Sequence, residues 1–407
     1  MSILKNKKYY LNIILIVISK ITEKGERMDI VALQLCQHYK YNEVKQALKR
    51  NIDDLGGLSK FVQPKEKILL KLNLLMKKDP EEGVTTHPIF VQALGDILTE
   101  YGCQVIIADS PGGPFTKTLL KGVYKACGIE GIAKSSGFEL NYNTNDIVRN
   151  HSNALVLSRI TAMEVLEQVD QVISVSKLKT HGMMKFTGAV KNMYGIVPGL
   201  IKAEYHFQYP ELKNFSNMLV DVCSFKTPIL SFMDGIVGME GDGPSSGDLR
   251  RVGAVIASSS PYALDVVACQ LVNIDPMSVP TIQRSVEREL IHKDFSRVAI
   301  KGYGLGDFSL EPFNTPDIVD LNFVRGRVPK FLEDPLNSIL LPKPVFDPQQ
   351  CISCGDCKKV CPAQVIHFHN KKPYADYKNC IRCFCCQELC PVKAVHVKKS
   401  FIKKLFF

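Results

Sequence analysis

The sequence predicts an α/β protein, a mainly parallel sheet with flanking helices, followed by a small C-terminal α+β domain built around cysteine. Three observations lead there. From Met28 onward, short apolar runs alternate with segments of helical periodicity. Polar, glycine-bearing loops follow several of the apolar runs, where an open α/β sheet collects its ligands. Near the end, one cysteine pattern occurs twice. A chain of 407 residues is long enough for a large domain with a small one appended.

Taken in order, strands are expected at 28–33, 67–72, 105–108, 154–157, 172–175, 229–233 and 252–257. Helices are expected at 42–50, ending before Gly56-Gly57, and from Thr86-His87-Pro88 to Tyr101, with Pro88 in the first turn. Further helices are expected at 161–168, 212–223, 261–272 and 284–297. The five prolines Pro329, Pro335, Pro342, Pro344 and Pro348 mark a semi-rigid tether. The resulting division is 1–27 leader or misassigned start, 28–321 α/β domain, 322–345 Pro-rich linker and 346–400 cysteine domain.

The first residues place Lys5, Lys7 and Lys8 before the apolar run 11–19. That run is short of the roughly 20 residues a membrane span needs, and no small-residue cleavage site follows it. Met28 is the preferred start, ahead of an N-terminal anchor.

The net charge of +10 divides unevenly: +4 over residues 1–27, +8 over 343–407 and −2 between them. The large domain is therefore nearly neutral, and without aromatics among the basic runs it gives no nucleic-acid signature. A hydrophobic share of 45% excludes a disordered or fibrous chain. The basic tail suits an acidic redox partner. Membrane association is not expected.

Cys351, Cys354, Cys357 and Cys361 precede Pro362, and Cys380, Cys383, Cys386 and Cys390 precede Pro391, giving C-x2-C-x2-C-x3-C-P twice. Zinc would leave the fourth cysteine and its proline without purpose, and disulfides require an oxidising compartment. The repeat resembles a two-cluster bacterial ferredoxin, which implies a ferredoxin-like domain with two 4Fe-4S clusters. The fourth cysteine of each run then ligates the other run's cluster. Cys351, Cys354, Cys357 and Cys390 would hold one, and Cys380, Cys383, Cys386 and Cys361 the other. The tails 365–368 and 394–397 are expected to pair as strands. Cys385 stands where the first run has Asp356 and is read as a non-ligating thiol. Such clusters need a reducing interior, so a cytoplasmic protein is expected.

Residues 28–328 carry a second resemblance. Lys71-x-Asn73, Thr86-His87-Pro88, Asp109-Ser110-Pro111-Gly112, Lys177-x-Lys179-Thr180-His181, Lys191-Asn192, Asp234-Gly235 and Glu240-Gly241-x-Gly243-Pro244 resemble the domain of unknown function 362 family. That resemblance implies the fold and the fused cluster domain, and assigns no reaction. Lys177, Lys179, His181, Lys185 and Lys191 suggest a positive wall for a carboxylate or phosphate. Lys179, His181 and Lys191 are the candidate catalytic or binding residues, and Lys185 reads as solvated. Gly112-Gly113 and Gly241-x-Gly243 offer backbone N–H groups to an anion. Asp109, Asp234, Glu240 and Asp242 are a lesser option for magnesium. His87 reads as a helix-start residue, and His206 as a proton donor on a mobile loop.

The function expected is iron–sulfur electron transfer, with delivery to an anionic small molecule held by the α/β domain. This would make the protein an iron–sulfur oxidoreductase served by a redox partner protein. The alternatives are an electron-carrier adapter and a non-redox enzyme with structural clusters.

Overall fold

The computed structural model describes residues 28–316 and 341–398. The leader and most of the expected linker lie outside the described residues.

The large domain contains β1 (Asp29–Leu35), β2 (Lys67–Lys71), β3 (Gln104–Ala108), β4 (Glu139–Leu140), β5 (Asp146–Asn150), β6 (Arg159–Met163), β7 (Gln171–His181), β8 (Lys185–Thr187), β9 (Leu230–Glu240), β10 (Asp248–Ser258) and β11 (Val298–Gly302). Its main sheet runs β11-β1-β10-β9-β7-β2-β3-β4, with β8 paired to β7. The contacts β1–β11, β2–β3, β2–β7, β3–β4 and β7–β9 are parallel, whereas β10 runs antiparallel to both β1 and β9. Burial on both faces explains the unbroken apolar run of β2. Leu69 packs into the core on one face, with Val172 and Leu219, while Ile68 and Leu70 pack into the other with Phe90 and Leu94.

Caps set where the covering helices begin. The His87 ring accepts the Ile89 N–H at 3.2 Å ahead of the helix Pro88–Glu100, and Ser260 accepts the Ala263 N–H at 3.2 Å ahead of Pro261–Leu271. His87 is thus a cap.

Four expectations for the large domain change. Residues 161–168 do not form one continuous helix: β6 runs through Met163 in antiparallel pairing with β5, and a short 3-10 helix Glu164–Glu167 follows. Residues 154–157 form a loop whose Leu155, Val156 and Leu157 N–H groups all donate to Asp221, at 2.9, 2.8 and 2.9 Å. The helix expected at 284–297 is Pro280–Glu287. Strands β7 and β9 each run 11 residues, so Lys177–His181 and Asp234–Glu240 belong to strands, not loops.

In the C-terminal module β12 (Lys343–Phe346) pairs with β15 (Val395–Lys398), and β13 (Ile366–His369) with β14 (Lys372–Ala375). The two apolar tails therefore pair with other strands and not with each other. Lys343, Pro344 and Val345 belong to β12, beyond the end of any linker. The module repeats itself at an offset of 29 residues, from Cys351 to Cys380 and from the helix Asp356–Lys359 to the helix Cys385–Glu388. Backbone conformation repeats too: φ is positive at Ser353 and Arg382, at Gly355 and Phe384, and at Gln364 and Lys393.

Candidate functional site

The cysteines converge as two sets. Cys351, Cys354, Cys357 and Cys390 line a cavity of about 350 Å³ with Phe346 and Phe368. Cys361, Cys380, Cys383 and Cys386 line a second cavity of about 350 Å³, with Val365 and Cys385. Each set joins three cysteines of one run to the fourth of the other. The Ser353 N–H donates to Cys351 Sγ at 3.4 Å and the Ala394 N–H to Cys390 Sγ at 3.1 Å. Burial pushes the Cys357 thiol up to about 11 and Cys386 well above its ordinary value. Thiolates at such positions require a bound cation to offset the loss of water. Four sulfur donors, apolar walls and wrapping backbone turns make each cradle fit an iron–sulfur cluster.

A crevice of about 760 Å³, partly open to solvent, lies between the module and the carboxyl ends of β2 and β3. Its floor is a buried ion pair, with Lys71 Nζ 2.9 Å from Asp109 Oδ1. Gly195 permits that pair, because a Cβ there would lie 2.1 Å from Asp109 Oδ1. Asn192 accepts from Lys71 Nζ at 3.2 Å and donates to Ser174 Oγ at 2.9 Å. Lys202 Nζ directs its three N–H groups among four oxygens, Ser110 O, Ser110 Oγ, Val197 O and Pro111 O, at 2.8 to 3.2 Å, pinning the loop after β3. Lys191 lines the crevice, and its side chain makes no hydrogen bond or ion pair among the described residues. Burial draws its ammonium below the ordinary value, partly opposed by the Glu388 carboxylate.

The module closes the crevice with the helix Cys385–Glu388. Glu388 Oε1 lies 3.0 Å from His181 Nε2, and its backbone oxygen accepts from Ser245 Oγ at 2.7 Å. Gln387 Nε2 donates to Asp242 O at 3.2 Å and Lys78 Nζ to Pro391 O at 3.1 Å. Leu389 packs on Gly112, where an added Cβ would meet its methyl at 2.2 Å. Burial alone would raise the Glu388 carboxyl; His181 and Lys191 outweigh it and hold it at about 2. Cys385 lines both this crevice and the second cysteine cavity.

The predicted positive wall is thereby divided. Lys177 pairs with Asp234 at 2.9 Å and donates to Tyr39 Oη at 2.6 Å, away from the crevice. Lys179 is 1% exposed and donates to Val84 O at 2.7 Å; burial, then Lys191 and Lys177, hold it at about 7. His181 meets Glu388, and burial keeps its ring below the usual histidine value. Of the three candidates Lys191 alone lines the crevice. His206 also lines it, from the helix Ile201–Gln208 and not from a loop, stacked 4.2 Å from Phe215. Burial holds His206 at about 3, and its Nδ1 has no partner among the described residues. The Gly112 N–H donates to Leu75 O and the Gly241 N–H to Asn314 O, so neither is offered to an anion. The suggested magnesium carboxylates Asp109, Asp234 and Glu240 are paired with Lys71, Lys177 and Arg250.

Sequence reasoning missed Glu388 and Lys202. Glu388 was accessible to it, since the equivalent residue of the first run is Lys359. Lys202 follows no motif.

Comparison with known proteins accounts for both halves. The model of the domain of unknown function 362 matches residues 68–270, and that of a 4Fe-4S dicluster domain matches 343–391. The thylakoid-associated protein sll1697 of Synechocystis is 34% identical over 260 residues, 62% of this chain and 77% of that protein. The chain belongs to the domain of unknown function 362 family. Its C-terminal 4Fe-4S dicluster domain marks it as an iron–sulfur protein. Two solved structures are similar at low identity. The lactate racemase apoprotein of Thermoanaerobacterium thermosaccharolyticum has TM-score 0.40 and 12% identity, over 61% of this chain and 57% of that one. A Thermotoga maritima protein has TM-score 0.37 and 15% identity, over 58% and 60%. The matched part thus spans less than two thirds of either. No helix among the described residues is long and apolar enough to cross a membrane.

Proposed function

We propose that this family member binds two 4Fe-4S clusters through the two cysteine sets and uses them to serve an anionic small molecule in the crevice, as a cytoplasmic iron–sulfur oxidoreductase. The observation that carries this reading is the position of Cys385, a wall shared by the second cysteine cavity and the crevice. Bound in the cradles, the clusters would supply one-electron transfer. The chain's own residues do the rest. Lys191 supplies the uncommitted cation for a carboxylate or phosphate. Asn192 and the Lys71–Asp109 pair fix the floor, while His206 presents an unused ring nitrogen. The Glu388–His181 contact holds the module against the crevice and keeps bulk water from that side.

The test uses anaerobically reconstituted full-length protein. Inorganic phosphate and small carboxylates are added while melting temperature and visible absorption are followed. A ligand that binds only the folded state raises the melting temperature by mass action. Lys191→Gln should remove the shift at unchanged iron content. If no anion shifts the parent protein, the crevice is a docking surface and the chain is an electron-carrier adapter.

A further inference from the structure

The pseudo-repeat of the module exposes a second working face. In the second run the helix Cys385–Glu388 and Leu389 are pressed against the α/β domain, with Glu388 meeting His181. In the first run the equivalent positions are Asp356–Lys359 and Val360, and there Lys358 and Lys359 are exposed. Where one run presents a carboxylate to a basic wall, the other presents a cation to solvent. Cys354 is the exposed cysteine among the eight, and Ile352 beside it is 61% exposed. Val392, from the same cavity wall, is 36% exposed. Ser353 Oγ donates to Lys371 O at 2.5 Å, which brings the turn carrying Lys371 and Lys372 beside this loop. The acidic side chain of the helix, Asp356, is already paired with Lys359 at 3.1 Å. Lys358, Lys371 and Lys393 have no ion pair among the described residues.

We infer that this face docks an acidic one-electron carrier protein, its carboxylates against Lys358, Lys371 and Lys393 and its apolar contact on Ile352 and Val392. An apolar centre with a single-sign charged rim is the form that gives fast, short-lived complexes. One electron passes per encounter: the carrier is oxidised and the module reduced, with no proton moved and no bond broken. The inference rests on the module being an electron carrier, and it is independent of the anion site.

Bacterial flavodoxin is the probe, with basic cytochrome c as the control of opposite charge, and both are titrated into the reconstituted full chain. Flavodoxin should bind, and its association rate should fall at least about tenfold between 50 and 300 mM salt as screening shortens the Debye length. The variant Lys358→Glu, Lys371→Glu, Lys393→Glu should weaken binding at least about tenfold at unchanged iron content. Reversal of Lys65, Lys67 and Lys134, exposed on the α/β domain, should leave binding unchanged. Equal binding by parent and triple variant overturns the inference. So does preference for cytochrome c, or binding of phosphatidylglycerol vesicles in place of flavodoxin. Dithionite separates the levels: a protein that dithionite reduces but flavodoxin does not bind refutes this docking face alone. A protein that dithionite cannot reduce refutes the electron-transfer reading beneath it.

Discussion

The two cysteine runs share spacing, turns and helix, yet the first turns its helix lysines to solvent while the second presses its helix against the crevice, to which the first run contributes Val360. Their common features, four sulfurs and repeated positive-φ turns, are what a cluster cradle demands. The differences that decide their neighbours lie on the helix and the residue after it. Asp356 becomes Cys385, Lys359 becomes Glu388 and Val360 becomes Leu389. In the second run these three changes place a thiol between cavity and crevice, a carboxylate against His181 and an apolar side chain on Gly112. In a repeated module, cofactor binding lies in what repeats, and the choice of neighbour lies in what does not.

The largest effect should come from the cysteines shared between runs. Cys390→Ser should remove the iron held by the first run, and Cys361→Ser that held by the second. Each should leave about four of the roughly eight irons that two cubes contain, as read by iron and sulfide analysis. Cys385→Ser should leave the full count.

Exchanging the charges that distinguish the runs gives the next effect. Glu388→Lys leaves His181 and Lys191 facing a further buried cation, and should cost about 3–5 kcal/mol of stability, measured by denaturant unfolding under anaerobic conditions. Lys359→Glu, on an exposed position of the same repeat, should change stability by no more than about 0.5 kcal/mol.

A smaller effect is expected at the contact of the second run. Gly112→Ala drives a methyl into Leu389 and should cost about 1–3 kcal/mol. No equivalent loss should follow from Gly306→Ala, where an added Cβ meets nothing within 4 Å.

These positions also show what the sequence could and could not tell. The cysteine sets were legible, since ligand spacing is local and its repetition specific. The mainly parallel sheet was legible from the alternation of apolar runs and helices. The lengths of β7 and β9 were not, because Lys177, Lys179 and Asp234 look like loop residues until their partners, brought together by the sheet, are known. The same reason hid the division of the basic wall: a lysine paired with a distant aspartate and a lysine left free are identical in sequence. Residues 161–168 failed on propensity, since pairing with β5 overrode a helical pattern.

The smallest effect concerns pH. Burial draws the Lys202 ammonium down to about 7, so the crevice should lose positive charge as pH rises through neutrality. Anion binding, which favours the protonated form, should weaken as pH goes from 6 to 9, seen as a shrinking ligand-induced rise in melting temperature.

The measurement closest to the central claim asks whether the crevice communicates with one cradle only. Protein holding iron in one cysteine set at a time, prepared from Cys390→Ser and Cys361→Ser, would be reduced and examined by electron paramagnetic resonance with and without the anion found in the screen. The account predicts that the anion alters the signal when the set Cys361, Cys380, Cys383 and Cys386 is filled, leaves it unchanged when Cys351, Cys354, Cys357 and Cys390 are filled, and has no effect in Lys191→Gln. An anion that alters both signals equally, or the first alone, would contradict it.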